Sequence, residues 1–443
     1  MGTDILSLTA ELCAFRTGVV AEENEPFFER VARELPLSVL RVASGETHNG
    51  WIVPELWRVH EARIERDGRT VHDATEHPLG VAVYSRSFDG ELELADLRQH
   101  LVTSPDLPSA WMYHCMWQYR PWAADWALSI PYERYATLEA GPYHVRLETS
   151  YGPGEMLIGE CELPGETERT IVFNAHTCHP GMANDDFAGV AVLVRLFQWL
   201  RERPRFYTYR LVLAPEHLGT VFYLRDVPAA DVERLVCGAF ADMPGTQGAV
   251  TVASTFLGGQ RVDLAFRNAA RSVVHRFVPW RQGAGNDETV WEAPGYEVPF
   301  VEVSRSEDLL APFRGYHTSL DTPTLLEEGR LAEYLDVFKR AVDALERDAR
   351  AHRRFDGLVC LSNPAYDLYQ ERPDPAVDKQ LAEDSERWGY LVDCLPRYLD
   401  GSLTLLEIAE RHELPFDAIA NYLQRFEDVG LVELERAPVE RPR

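Results

Sequence analysis

The middle of the chain alternates short apolar runs with longer segments whose apolar residues have helical spacing. Residues 170–173 form a β-branched and apolar run typical of a buried strand, and residues 187–200 continue with the spacing of a helix. This alternation continues to about Arg350, where a helical segment through Y-L-D-V-F-K-R-A-V-D-A-L ends it. Repeated strand and helix units predict an α/β domain built on an open sheet.

Three other regions have a different pattern. Residues 5–36 have the apolar spacing of two short helices, and residues 37–138 are short β-branched and aromatic runs separated by turn residues. After a proline-containing linker, the chain continues with helix, helix, helix and short strand, the order of a winged helix. We therefore predict an α/β domain of residues 1–36 and 139–355, a β-rich domain of residues 37–138 between its parts, and a linker and winged-helix domain of residues 356–443.

Potential metal ligands follow the first buried run. His176, His179 and Asp185 lie in the connection between the predicted strand at 170–173 and the predicted helix at 187–200. In an open α/β sheet this connection lies at the carboxyl ends of the strands, where ligands bind. Neutral imidazole and carboxylate are ligands of catalytic zinc, which keeps one position open for water. The connection is therefore a candidate zinc site.

Further residues of the same kind follow later apolar runs. Glu216 and His217 come after the next predicted strand. Asp242 ends the strand after that one, and His317 follows a later strand. Four successive strand ends thus carry residues that can bind a metal or transfer a proton.

This order of residues resembles the zinc aminopeptidase family that includes bacterial leucyl aminopeptidases and glutamate carboxypeptidase. Within it, the chain is most similar to a subgroup of bacterial proteins with an aminopeptidase-like domain, an inserted β-rich domain and a C-terminal winged helix. The sequence motifs that show the resemblance are W-I-V-P-E-L-W, H-T-C-H-P-G-M-A-N-D-D-F-A-G, G-N-D-E-T and Y-H-T-S-L-D. They cover most of the chain and imply an α/β fold with a mixed sheet flanked by helices.

The resemblance also implies roles for individual residues. The general base corresponds to Glu216, and the bridging metal ligand corresponds to Asp185. The other ligands of one or two zinc ions are implied to come from the following residues, with the choice between the first two left open: His176, His179, His217, Asp242 and His317. Substrate contacts are implied for Asp287, Glu288 and Tyr316. Asp287 is alternatively a helix N-cap, a role that would explain the residue by itself.

Two residues depart from the family pattern. Cys178 stands where the family has an aspartate that orients the first histidine ligand, and loss of such a partner commonly costs about 10–100-fold in metal affinity or activity. His217 stands where the family has a glutamate ligand. Imidazole also binds zinc, so this change keeps a ligand but removes a negative charge. Because of these two departures, a second hypothesis stays open: the protein is a catalytically inactive relative of the family that binds a peptide or an amino acid.

The amino-acid composition limits which binding partners and which cellular compartment we expect. The 443 residues carry a formal net charge of −27, which argues against nucleic-acid and anionic membrane partners because both require clustered Lys and Arg. No run approaches the roughly 20 apolar residues of a membrane span. The seven cysteines are scattered without C-x-x-C spacing, and the first residues lack a signal-peptide pattern. We expect a cytoplasmic protein that is a monomer or a homo-oligomer.

The favoured hypothesis is a zinc-dependent hydrolase of an amide bond next to a free α-amine, acting on a small peptide or an aminoacyl amide. We expect Cys178 to be a ligand or a neighbour of one, not a nucleophile, because no separate base is assigned to it. A second alternative is a winged-helix regulator that uses the hydrolase fold as a sensor. The third predicted C-terminal helix is acidic, with Asp417, Glu427 and Asp428, whereas a helix that reads DNA needs exposed basic residues.

Overall fold

The computed structural model describes residues 4–308, 312–369 and 379–441. Its strands are β1 (Ser38–Ala43), β2 (Thr47–His48), β3 (Trp51–Ile52), β4 (Leu56–Arg66), β5 (Arg69–Asp73), β6 (Phe88–Glu93), β7 (Leu101–Val102), β8 (Leu128–Ser129), β9 (Pro142–Gly152), β10 (Glu155–Leu163), β11 (Thr170–His176), β12 (Thr208–Ala214), β13 (Leu235–Asp242), β14 (Ala249–Ala253), β15 (His275–Val278), β16 (Phe300–Ser306), β17 (Ala349–Arg353), β18 (Asp400–Thr404) and β19 (Val432–Arg436).

The α-helices are α1 (Ile5–Leu12), α2 (Asn24–Ala32), α3 (Leu94–Leu97), α4 (Tyr132–Tyr135), α5 (Ala188–Arg201), α6 (Leu218–Asp226), α7 (Ala229–Arg234), α8 (Arg261–Ala270), α9 (Glu288–Trp291), α10 (Glu328–Arg347), α11 (Lys379–Tyr398), α12 (Leu405–His412) and α13 (Phe416–Asp428). Short 3-10 helices are Ala74–Glu76, Arg98–His100, Met116–Tyr119 and Pro323–Leu325. Among the helices in the described part of the chain, none combines the length and the apolar character that crossing a bilayer requires.

An eight-stranded mixed sheet in the order β1-β10-β12-β11-β13-β16-β14-β15 forms the centre of the molecule. The neighbours β12, β11, β13 and β16 pair in parallel. β1 and β10 join one side antiparallel, and β14 pairs antiparallel with β16 on the other. Because the four central strands run in the same direction, their carboxyl ends meet at one edge of the sheet.

Helices cover both faces of this sheet. Ile171 and Phe173 of β11 point into a core that includes α5 and α10, whereas Val172 between them points into a second core beneath α6 and α9. Every residue of β11 is buried. A strand that is covered on both faces has apolar side chains on both faces. The run at residues 170–173 is therefore β-branched and apolar throughout and does not alternate between apolar and polar residues. The predicted α/β class, with a mixed sheet flanked by helices, is confirmed.

The inserted region contains a smaller antiparallel sheet in the order β5-β4-β9-β6. Its strand pairing does not follow the predicted boundaries at residues 37 and 138. β1 pairs with β10 in the large sheet, and β9 pairs with β4 and β6 in the small one. The side chains of β9 alternate between buried and exposed over its first half, a pattern that fits either sheet, so periodicity alone could not assign this strand.

The C-terminal region forms a three-stranded sheet, β18-β17-β19, with α11, α12 and α13. The three predicted helices and the final strand are present, β18 is additional, and the central strand β17 comes from before the predicted linker. The assignment as a winged helix stays a prediction, and residues 370–378 of the predicted linker lie outside the described residues. Arg347 of α10 pairs with Asp417 of α13 at 3.1 Å, so this region packs on the α/β domain.

Candidate metal centre and active site

The predicted site residues gather at the carboxyl edge of the parallel strands. His176 is the last residue of β11, and Asp242 is the last residue of β13. Glu216 follows β12 after one proline, and His317 lies in the loop after β16. Adjacent parallel strands end at the same edge, so residues far apart in sequence become neighbours here.

The Asp185 carboxylate lies at the centre of this group. Its Oδ1 is 2.9 Å from His176 Nε2, and its Oδ2 is 3.2 Å from His317 Nε2. His176 Nε2 is also 4.0 Å from Asp242 Oδ1. The side chain of His317 is 30% exposed, whereas those of the other three residues are at most 4% exposed. Asp185 therefore connects a deep histidine with one that borders solvent.

The described residues contain three groups whose ligand atoms lie within 4.8 Å of one another. The groups are His179, Asp185 and His317; His176, Asp186 and Asp242; and His176, Cys178 and His179. His176 and His179 each belong to two groups, and their ring centroids are 4.4 Å apart. The groups therefore form one continuous cluster, to which the structure brings every predicted ligand except His217.

Several polar atoms of the cluster are buried without a hydrogen-bond partner among the described residues. They include His176 Nδ1, His179 Nε2 and Asp242 Oδ1. A buried polar atom left unpaired costs about 1–3 kcal/mol, so three together in one place need an explanation. Imidazole nitrogen and carboxylate oxygen are the donors that bind zinc in proteins. The residues present therefore fit a zinc ion.

Burial and mutual repulsion act against full ionisation of the carboxylates. Burial raises the pKa of Asp242 well above its usual range, and the charge of Asp185 adds to this. Burial and the charge of Asp242 raise the pKa of Asp186 in the same way. Burial also acts to raise the pKa of Asp185, but the electrostatic effect of His179 and hydrogen bonds from His176 and His317 hold this pKa well below its usual range. A divalent cation would favour the ionised forms of these acids.

Cys178 contacts the cluster and the proposed base segment. Its Sγ is 3.4 Å from His179 Nδ1, and it accepts the Glu216 N–H at 3.3 Å. Burial raises the pKa of the Cys178 thiol. Burial lowers the pKa of His179 well below its usual range, which favours the neutral imidazole that binds metals. The thiol is thus placed to orient the ring of His179.

Two carboxylates that were not predicted as site residues hold the Asp185 segment in place. Asp186 accepts the N–H groups of Gly189 at 3.1 Å and Met243 at 3.3 Å. Asp321 accepts the Asp185 N–H at 3.0 Å, and burial raises its pKa to about 7. Asp186 belongs to the motif A-N-D-D-F-A-G, and Asp321 belongs to the motif Y-H-T-S-L-D. The motifs contained them, but nothing in the sequence separated a ligand from a support.

Three residues of the site adopt the left-handed backbone region. The φ angle is 53° at His217, 46° at Met243 and 54° at His317. Such a conformation costs a non-glycine residue about 1–3 kcal/mol and is found preferentially at functional sites. The surrounding packing, not local preference, therefore fixes the direction of these side chains.

Glu216 lies at the rim of the cluster. The Tyr119 hydroxyl donates to its Oε2 at 3.1 Å, and its charge contributes to the raised pKa of Asp242. The neighbouring His217 faces Asp287: its Nδ1 is 3.2 Å from Asp287 Oδ1, and its N–H donates to the same oxygen at 2.6 Å. Glu216 thus lies near enough to the cluster for its charge to act on Asp242, whereas His217 lies beside a different carboxylate.

The residues predicted to contact substrate have two kinds of surroundings. Asp287 and Glu288 are fully buried. Asp287 occupies the N-cap position of α9, but its side chain makes no capping bond and instead accepts from His217 and from the Thr220 hydroxyl. Tyr316 is 36% exposed and stacks on His317 with ring centroids 4.0 Å apart. Of the three residues, Tyr316 is the one whose ring borders both solvent and a candidate ligand.

The inserted region forms one wall of the site. The Tyr113 N–H donates to the His317 carbonyl at 2.8 Å, and the Ser319 N–H donates to the Trp111 carbonyl at 2.9 Å. The Tyr113 ring centroid is 5.0 Å from that of His179 and 5.5 Å from that of His317. No motif in the sequence marked this segment, because its contacts form only in the folded chain.

The eight-stranded mixed sheet and the helices on its two faces form an aminopeptidase-like fold. The structure matches the "putative peptidase" of Clostridium acetobutylicum with a TM-score of 0.79 and 22% identity, covering 97% of this chain and 96% of that one. It also matches BSAP, a zinc aminopeptidase from Bacillus subtilis, with a TM-score of 0.57 and 15% identity, covering 76% of this chain and 92% of that one.

The sequence places the chain more narrowly. It belongs to the family described as "Domain of unknown function (DUF4910)", whose model matches residues 7–348. A Clostridium acetobutylicum protein named "Putative polysaccharide biosynthesis protein with aminopeptidase-like domain" is 26% identical over 353 residues, which cover 78% of this chain and 79% of that protein.

Proposed function

We propose that this protein is a metal-dependent hydrolase that cleaves an amide bond next to a free α-amine. The observation that carries the proposal is the buried cluster in which His176 and His317 approach the two oxygens of Asp185. Imidazole and carboxylate donors at the carboxyl edge of an α/β sheet are typical of catalytic zinc sites. The aminopeptidase-like fold supports the same class of reaction.

Zinc is the proposed metal, with one or two ions per chain. The residues of the cluster that would hold it carry imidazole or carboxylate groups: His176, His179, Asp185, Asp242 and His317. His217, the remaining predicted ligand, lies beside Asp287 instead. When bound, zinc polarises the scissile carbonyl and lowers the pKa of a bound water. The chain's own contribution is to fix the positions of these donors at the strand ends and to exclude bulk water around them.

Glu216 is the proposed general base. It would accept the proton of the attacking water and pass it to the leaving amine. The hydrogen bond from the Tyr119 hydroxyl to Oε2 limits the rotation of its carboxylate. Tyr316, on the exposed side of His317, is the proposed substrate contact. Asp287 and Glu288 are proposed to act on substrate only through the loop that they support, because both are buried.

The proposed substrate is a small peptide or an aminoacyl amide. The inserted segment around Trp111 and Tyr113 closes one side of the site, which favours a small molecule over a folded protein. The name of the Clostridium relative connects that protein with polysaccharide biosynthesis, and an amide-bearing precursor of a polysaccharide is one substrate consistent with this proposal. We propose that the protein acts in the cytoplasm without nucleic-acid or membrane partners, as a monomer or a homo-oligomer.

A binding protein without hydrolytic activity is the second candidate. Cys178 in place of an aspartate and His217 in place of a glutamate favour it, because each removes a negative charge from the surroundings of the metal. Such a protein would still bind an amino acid or a peptide at the same donors. The two candidates therefore differ in turnover and not in ligand binding.

The test compares wild-type protein with Glu216→Gln on a panel of aminoacyl amides and short peptides. General-base assistance is worth about 10²–10⁴-fold, so Glu216→Gln should lose at least about a hundredfold in turnover while keeping its zinc and its fold. Glu91→Gln, an exposed glutamate on β6, is the matched control and should leave turnover unchanged.

Equal cleavage by wild type and Glu216→Gln would show that Glu216 is not the base. If neither form cleaves any member of the panel while both bind an amino acid in calorimetry, the binding protein is the correct assignment. Zinc content measured on the same preparations separates loss of the base from loss of the metal.

A further inference from the structure

His179 lies between the two histidines that Asp185 joins. It is 1% exposed, and its ligand atom lies within 4.8 Å of those of Asp185 and His317. Its ring centroid is 4.4 Å from that of His176 and 5.1 Å from that of His317. The His179 ring therefore lies close to both Asp185 and His317.

The two ring nitrogens of His179 have different surroundings. Nδ1 is 3.4 Å from Cys178 Sγ. Nε2 is buried and has no hydrogen-bond partner among the described residues. In metal sites, a bound imidazole commonly has its other nitrogen engaged by a neighbouring group, which fixes the ring. His179 has this arrangement, with Nδ1 engaged by the thiol and Nε2 left as the donor.

His217 lies outside the groups of ligand atoms, beside a different carboxylate. Its Nδ1 lies 3.2 Å from Asp287 Oδ1, and its N–H donates to the same oxygen at 2.6 Å. Its Nε2 lies 3.8 Å from Glu216 Oε1. Asp287 is fixed in turn by the Thr220 hydroxyl. His217 is thus held beside Asp287 by its backbone N–H, whereas its ring Nδ1 lies near the same carboxylate without forming a hydrogen bond. His217 belongs to none of the three groups of ligand atoms in the described residues.

We propose that His179, together with Asp185 and His317, completes the second metal position, and that His217 is not a ligand. This inference rests on the proposed metal-dependent function and names its ligand set. The deep position then consists of His176 and Asp242 with the other oxygen of Asp185. The solvent-side position has one carboxylate where the deep position has two, so the ion at the solvent-side position binds less tightly.

The experiment measures zinc bound to purified full-length protein. Stoichiometry is obtained by elemental analysis after dialysis against Zn²⁺, and affinity by competition with a coloured chelator. The variants are His179→Ala and His217→Ala. His72→Ala is the matched control, since His72 is also 1% exposed and hydrogen-bonded but lies in the inserted region. Circular dichroism checks that each variant is folded.

His179→Ala should lose one ion per chain or bind it at least about 100-fold more weakly, since even neighbours of ligands contribute 10–100-fold. His217→Ala and His72→Ala should keep the stoichiometry and affinity of the wild type. The proposal is overturned if His179→Ala binds zinc like the wild type, or if folded His217→Ala loses an ion.

If His179→Ala does not fold, His179→Gln, which keeps a polar side chain of similar reach, takes its place. The His217→Ala measurement decides the second half of the proposal independently. A wild-type protein that binds no zinc at all would instead contradict the proposed metal-dependent function itself. The two failures are therefore distinguishable.

Discussion

Replacing Gly189 with alanine tests whether the start of α5 fixes the Asp186 carboxylate. A Cβ at this position would lie 2.1 Å from Asp186 Oδ1 and 2.6 Å from Asp186 Cγ, so the carboxylate must move. Movement breaks the hydrogen bonds that Asp186 accepts from the Gly189 and Met243 N–H groups, at 3.1 and 3.3 Å. We therefore expect Gly189→Ala to destabilise the fold and to weaken zinc binding.

The magnitude follows from three contributions. Forcing an extra carbon into a filled space costs about 1–3 kcal/mol. Losing two buried hydrogen bonds costs about 0.5–1.5 kcal/mol each. Alanine in a helix gains about 0.5–1 kcal/mol over glycine, which offsets part of this. The net loss in the free energy of unfolding is about 1–5 kcal/mol, which lowers the melting temperature by about 1–5 °C at a typical unfolding entropy per residue.

Thermal unfolding followed by circular dichroism measures this shift, and the same protein is assayed for bound zinc. Gly329→Ala is the control, because Gly329 lies in α10 and an added Cβ there meets no atom within 4 Å. The control should melt at or about 1 °C above the wild type, since only the helix preference of alanine acts there. If Gly189→Ala melts like Gly329→Ala and keeps its zinc, the role assigned to Asp186 is refuted.

Three further outcomes are expected. Cys178→Ser should weaken zinc binding about 10–100-fold in chelator competition, because the group beside His179 changes, and an unchanged affinity would contradict this. Burial raises the pKa of Glu292 from 4.5 to about 7. Between these two pH values the folded protein keeps a proton that the unfolded chain releases. The free energy of unfolding therefore falls as the pH rises from about 4.5 to 7. Glu292→Gln should flatten that fall in urea midpoints measured at pH 5 and pH 7, and an equally steep fall would assign the pH dependence to other groups. The C-terminal region should not shift DNA in a gel at physiological salt, because the chain carries a net charge of −27 and Asp417 is paired with Arg347; retention of a specific sequence would overturn this.

The position of the candidate site at the sheet edge could be predicted from the sequence because parallel strands have a directional geometry. Each predicted buried run ended in a residue that can bind a metal or carry a proton, and parallel pairing brings such ends together. His176 and Asp242 could be placed in this way without any side-chain information. The fold class could be predicted for the same reason, since the alternation of buried strands and helices leaves few architectures.

Side-chain direction could not be predicted in the same way. His179 and His217 are both histidines in strand-to-helix connections, and only the structure distinguishes them. The φ of 53° at His217 turns its ring toward Asp287. A positive φ is locally unfavourable for a histidine, so tertiary packing determines this backbone conformation. A local sequence pattern therefore does not predict it.

The pairing between strands that are distant in sequence also could not be predicted. β9 alternates between buried and exposed residues over its first half, as a strand of either sheet would, and its antiparallel pairing with β4 settles its place. The Tyr119 hydroxyl and the Tyr113 ring reach the site from the inserted region, far in sequence from Glu216 and His317. Contacts of this kind depend on how the inserted region docks.

The docking of the inserted segment onto the loop of His317 couples the positions of these two parts of the chain. The Tyr113 and Ser319 N–H groups bond across this junction, and the Trp111 N–H donates to Ser319 Oγ at 3.0 Å. Any movement that carries His317 away from Asp185 must therefore either carry the inserted segment with it or break three hydrogen bonds. The Tyr113 side of the site and His317 should therefore move as one unit, so that a displacement of either changes the distance between His317 and Asp185.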